Sequence, residues 1–262
     1  MVSMTQTAEP AGGHKTLSER ADELEDQMMK TLDRVPSKSP LYTMGEVDPR
    51  VGMVRPPLQP GQHMLQGADP RLPAMPAKPG ILDFYRLRLR QGAMQHLLQS
   101  ANLAKKNGYP EKIVAACLLH DIAVAGFIQA DHGYWGAQLI EPYVDEEVSS
   151  SIRMHQALRF FPDESVGYKY PDAYLKYFGP DYEPEPYIVE EYKRARSHKY
   201  YMTARLICVN DIYAFDPNAK VNLDDFVDII GRNFKQPKEG LGFDNTPSSH
   251  MWRTLMWPTR FL

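Results

Sequence analysis

The chain has 262 residues, 43% apolar and 24% charged, a composition that suits one soluble globular domain with extensions. A net charge of −3 gives no field for nucleic acid or an anionic membrane surface, and no apolar run reaches the about 18 residues of a membrane helix. The N-terminal residues, with Glu9, His14 and Lys15, lack the apolar core of a secretory signal. Cys117 and Cys208 each lie in an apolar stretch, which predicts buried free thiols and a reducing, cytoplasmic location.

Residues 1–15 are small, polar and aperiodic, and read as disordered. Thr16 to Glu19 fits a capping box, and Leu17, Ala21, Leu24, Met28 and Leu32 continue at helical spacing. Residues 36–80 carry ten of the 22 prolines, which forbids a long helix or a central strand. The same stretch holds Leu41, Tyr42, Met44, Met53, Val54, Leu58, Met64, Leu65 and Met75. It is therefore expected to be an arm that wraps the core or a second copy of the chain, which makes it a candidate homo-oligomer contact.

From residue 81 the chain reads as helical. Residues 81–106 predict one helix or two, and Pro110 opens the next, to about residue 124, after the turn Asn107-Gly108-Tyr109. Another runs from His132 to about residues 142–145, and one follows over residues 146–161. Residues 162–186 are a loop with five tyrosines, too long for a plain connection and expected to be an ordered lid. A long helix is predicted over 187–215, then a last one capped by Asn222, with Gly231 near its end. The expected organisation is an N-terminal helix and arm over 1–80, an all-α core over 81–233, and an irregular aromatic tail packed on the core over 234–262.

The polar residues of this core fall at telling distances. His96 and His120 are 24 apart, with the Asn107–Pro110 turn near the midpoint, so equal antiparallel arms return both to one end of a hairpin. His132 and His155 are 23 apart, with the break near Pro142 again central. Asp121 follows His120 on an apolar helix, and Asp211 sits in Ile207-Cys208-Val209-Asn210-Asp211, where an unpaired carboxylate would be costly. Four histidines and two aspartates at one end of a helical bundle suit two metal ions, with Asp121 as the natural bridge. His14, His63 and His198 read as bystanders, and His250 stays open.

The order H…HD…H…H…D over residues 81–215 resembles the HD-domain superfamily, named for a pair such as His120-Asp121. The spacings are most similar to its mixed-valent diiron oxygenases, which include phosphonate-cleaving and myo-inositol oxygenases. The resemblance implies an HD helical bundle in which His96, His120 and Asp211 hold one metal, His132 and His155 the other, and Asp121 bridges. It implies two iron ions, Fe(II)/Fe(III), with O₂ and a small polar, anionic molecule as substrates, to be hydroxylated or cleaved. Related phosphohydrolases and phosphodiesterases share the pattern and would use Mn, Mg or Zn. A third reading is a metal-stabilised scaffold without catalysis. Many relatives carry Lys or His where Val124 stands, and inositol oxygenase a lysine where Phe215 stands. Arg159, four residues after His155, keeps the positive charge of a lysine in the phosphonate oxygenases. It is the first candidate for binding the substrate's anion, ahead of Lys199 and Arg205.

Overall fold

The computed structural model describes residues 72–126, 131–212, 214–216 and 218–257. The predicted N-terminal helix and most of the proline-rich arm lie outside these residues. Two antiparallel helical hairpins form the centre. In the first, α2 (Gln91–Lys106) turns through Gly108, at φ 72°, into α3 (Glu111–Leu119). The turn needs a residue that tolerates the left-handed region, and Gly108 supplies it. The arms meet through Leu97, Leu98, Ala101 and Ala104 on one side and Val114, Ala116, Cys117 and Leu118 on the other, all buried.

The helix expected over 110–124 is broken at its polar pair. α3 ends at Leu119, His120 and Asp121 form a turn, and α4 (Ile122–Gly126) resumes. The second hairpin joins α5 (His132–Ile140), through a short 3₁₀ turn (Glu141–Tyr143), to α6 (Glu146–Leu158). Its arms are drawn together at Gly133, where a Cβ would come 2.8 Å from the Ile152 carbonyl oxygen and 3.2 Å from that of Arg153. Gly133→Ala is therefore expected to destabilise the protein by about 1–3 kcal/mol, because backbone cannot yield as a side chain can. Gly92→Ala, at a helical site with nothing within 4 Å, is expected to be neutral or slightly stabilising. Chemical denaturation of the two variants side by side checks the contrast.

The helix predicted over 187–215 is two helices, α8 (Pro186–Arg196) and α9 (Tyr201–Asp211). At the break the Ser197 hydroxyl donates to the Arg194 carbonyl (3.1 Å), and His198 Nδ1 accepts the Tyr200 N–H (3.2 Å). Local side-chain bonds thus replace helical ones. α9 packs on α6, α2 and α3 and closes the bundle.

Before α2, Arg88 ends α1 (Ile81–Leu87) and turns its buried guanidinium to the carbonyls of Met256 and Pro73, each at 2.9 Å. The 162–186 stretch contains a 3₁₀ turn (Glu164–Val166) and α7 (Asp172–Phe178), so it is ordered as expected but partly helical. Asn222 caps a 3₁₀ turn (Leu223–Phe226) by accepting the Asp224 N–H, and α10 (Val227–Asn233) follows, with Gly231 inside it. The C-terminal stretch is less irregular than predicted. It forms α11 (Ser249–Met256), whose Trp252 is fully buried against Phe84 and donates to the Leu139 carbonyl. Among the described residues the only extended pairing is an isolated bridge between Asp163 and Tyr168, so the fold is all-α. No helix among them is long and apolar enough to cross a membrane. Both cysteines are free and buried.

Candidate metal centre

The hairpins bring their histidines together in pairs. His96 Nε2 lies 3.2 Å from His120 Nε2, and His132 Nε2 lies 3.2 Å from His155 Nε2. Asp211, at the last turn of α9, sets Oδ1 at 3.1 Å from His96 and 3.5 Å from His120. Asp121 reaches both pairs. Its Oδ2 is 3.4 Å from His96 Nε2, and its Oδ1 is 3.1 Å from His132 and 3.5 Å from His155. Two groups result, His96–His120–Asp121–Asp211 and Asp121–His132–His155, each with ligand atoms within 4.8 Å of one another. Either could hold a metal ion, and they share Asp121.

The ring orientations are fixed from behind. The other nitrogen, Nδ1, meets a backbone carbonyl in three rings: Ala214 for His96 (3.0 Å), Cys117 for His120 (2.8 Å) and Ile152 for His155 (2.6 Å). A carbonyl can only accept, so each Nδ1 carries a proton and each ring aims its Nε2 inward. Nitrogens that face each other at 3.2 Å beside two carboxylates call for a proton or a metal ion between them. Asp121 Oδ1 and both oxygens of Asp211 are buried without a hydrogen-bond partner. These unsatisfied acceptors are what a metal ion would satisfy, so the donor set fits a metal.

Charge in the site follows from the same geometry. Burial alone would raise both aspartates; the imidazoles, and for Asp211 the Arg159 guanidinium first, hold them well below the usual carboxylate range. Burial would lower His96, but Asp121 and Asp211 outweigh it and lift it to about 10. For His155 burial wins, and it falls to about 4. In the metal-free protein His96 therefore carries a proton that a metal must displace below about pH 10. Affinity at the His96 half is expected to rise about tenfold per pH unit between pH 7 and 9, with about one proton released per ion. At the other half His155 is already deprotonated at neutral pH and adds no such slope. Metal titrations in buffers of different ionisation enthalpy measure both.

Of the cationic residues singled out in the sequence, Arg159 joins the cluster. Its Nε sits 3.3 Å from Asp211 Oδ2, and its guanidinium lies over the Tyr174 ring at 5.2 Å. Arg205 is fully buried but turned elsewhere. It donates to the carbonyls of Leu158 (2.8 Å) and Phe161 (2.9 Å), capping the end of α6, and faces Asp163 at 3.7 Å. Lys199 pairs with Glu146 at 2.7 Å, at the opposite end of α6 from His155. Neither is brought to the metal ligands. Three features escaped the sequence: the carbonyl partners, Tyr174 over Arg159, and the exposed Phe215 ring stacked on His96 at 4.3 Å and 18°. The first had a signal, since Cys117 and Ile152 each stand three residues before their histidine.

No family model matches the chain. A 75-residue stretch is 32% identical to the [1-hydroxy-2-(trimethylamino)ethyl]phosphonate dioxygenase (glycine-betaine-forming) of Leisingera caerulea; it covers 25% of this chain and 38% of that protein. The chain thus matches well under half the length of this curated relative. A distant likeness to a dioxygenase, with a His/Asp cluster able to hold metal, fits a metal-dependent enzyme.

Proposed function

We propose that this chain is a dinuclear-iron oxygenase of the HD superfamily, which uses O₂ to hydroxylate or oxidatively cleave a small, polar, anionic organic substrate. Residues 81–233 would be its catalytic core. His96, His120 and Asp211 would hold one ion, His132 and His155 the other, and Asp121 would bridge. The observation that carries the reading is the pair of ligand groups joined through the two oxygens of one carboxylate. The stretch similar to a phosphonate dioxygenase favours an oxygenase over a hydrolase.

When bound by these residues, an iron pair would supply electrons for O₂ and a Lewis-acid site for the substrate's anionic group. The protein's own contribution is binding and exclusion. His120, His155 and Asp211 are fully buried, so water reaches the cluster only past its outer edge. The most exposed charged groups on that edge are Asp121 and Arg159, with side chains 16% and 17% exposed, against 9% for His96 and 11% for His132. The Nη groups of Arg159 take no hydrogen-bond partner among the described residues, which leaves them free for a substrate oxyanion.

The test is metal content after aerobic and anaerobic purification, with low-temperature EPR after partial oxidation. A mixed-valent diiron signal and substrate-dependent O₂ uptake are expected. Tight Mn, Mg or Zn, with turnover of a phosphoester and no O₂ uptake, would make the protein a phosphohydrolase instead.

A further inference from the structure

The outer edge of the cluster is continued by an aromatic surface. Arg159 closes α6 next to Phe160, and α7 lays Tyr174 over the guanidinium. Beyond Tyr174 the rings pack as one cluster, with Phe160 also 6.2 Å from Phe178 and 5.9 Å from Tyr182. Phe160 is 5.5 Å from Tyr174, Phe178 is 5.4 Å from Tyr174, and Tyr182 stacks on Phe178 at 4.9 Å. The outer members of the cluster are exposed, Phe178 by 47% and Tyr182 by 38%, with Leu175 beside them at 44%. Single exposed apolar residues are ordinary, but a contiguous run that starts at a substrate-facing cation is not.

Building on the oxygenase reading, we infer that the substrate is an amphiphilic organic anion with an uncharged apolar or aromatic tail, its head at Arg159 and its tail on the Phe160–Tyr174–Phe178–Tyr182 shelf. Charge complementarity sets the orientation. Among the described side chains at the edge, Arg159 is the cation against the metal ligands, and the four rings beyond it are uncharged. Aromatic faces also attract cations, so a quaternary ammonium tail is the competing occupant. Here the guanidinium already occupies the face of Tyr174, and a second positive charge beside it would be repelled. The shelf therefore selects a neutral tail.

The test is calorimetric binding to the metal-loaded protein without O₂, so that no turnover is needed. The probes are methylphosphonate, benzylphosphonate and 2-(trimethylammonio)ethylphosphonate. Benzylphosphonate is expected to bind about ten- to a hundredfold more tightly than methylphosphonate, the gain of burying one ring. The trimethylammonio probe is expected to gain little or nothing. Phe178→Ala and Tyr182→Ala, both at exposed positions, are expected to keep full metal content while the benzyl-over-methyl ratio falls toward one. Equal binding of methyl and benzyl probes, a tighter trimethylammonio probe, or an undiminished ratio in both variants would overturn the assignment. None of these outcomes depends on O₂ chemistry. A tail preference without O₂ uptake would refute the oxygenase alone, and O₂ uptake without a tail preference would refute the shelf alone.

Discussion

Asp121→Ala is expected to empty both halves of the metal centre, whereas Asp211→Ala should weaken one. The asymmetry follows from the distances. Asp211 faces only the His96–His120 pair, but Asp121 sends Oδ2 toward His96 and Oδ1 toward His132 and His155. Without it, the second half keeps two imidazoles and no carboxylate, and the first loses one of two. Loss of an outer-sphere partner commonly costs about 10–100-fold in metal affinity. Loss of a shared inner ligand is expected to exceed that at both ions. Elemental analysis after dialysis against a weak chelator reads the result, with far-UV circular dichroism to show that the helices persist. Retention of two ions by Asp121→Ala would remove the bridge from the proposal. The substitution suits this use because Asp121 lies in the turn between α3 and α4, where a truncated side chain disturbs no helical packing.

Arg159→Gln is expected to act twice, and differently in the two forms of the protein. In the metal-free form it leaves the fully buried Asp211 carboxylate without its guanidinium. Breaking such a buried pair costs about 3–5 kcal/mol. For a chain of this size that is a fall in melting temperature of roughly 6–20 °C. In the metal-loaded form an ion neutralises the same carboxylate, so the loss should be smaller. The second effect is on the ligand: methylphosphonate binding is expected to weaken about a hundredfold, the worth of charge-assisted hydrogen bonds to an oxyanion. Arg159→Lys should recover charge but not the two-pronged geometry, and so fall between. Melting curves with and without metal, together with calorimetry, separate these parts. Equal destabilisation of both forms would show that Arg159 compensates something other than the carboxylate beneath the metal.

Much of the candidate site could be read from spacing, because a helical hairpin converts sequence distance into spatial return. His96 and His120, and His132 and His155, stand near-equal arms away from their turns, and each pair meets at 3.2 Å. Arg159 was singled out by the family resemblance, and its place four residues after His155 puts it on that residue's helix face. Arg205 was not. It stands six residues before Asp211, about 120° around α9, and so faces the end of α6. Lys199 lies within a helix break that hydrophobic periodicity does not register, because Ser197 and His198 make it through local hydrogen bonds. α11 was hidden among Gly, Pro and Ser signals that usually mark loops; burial of Trp252 against Phe84 holds it helical. Phe215 over His96 lies beyond the end of α9, where no periodicity fixes direction.

The backbone carbonyls behind the imidazoles bear on how this protein can change over generations. An orienting carboxylate on a side chain can be lost by one nucleotide change. The groups that aim His96, His120 and His155 belong to Ala214, Cys117 and Ile152, whose side chains can vary while the carbonyl stays. The aim of the rings is thus inherited with the fold rather than with particular neighbours. Arg159, Tyr174 and Phe215 at the rim have no such protection. Drift is free to reshape what the site accepts, while the ring orientations beneath it persist for as long as the two hairpins do.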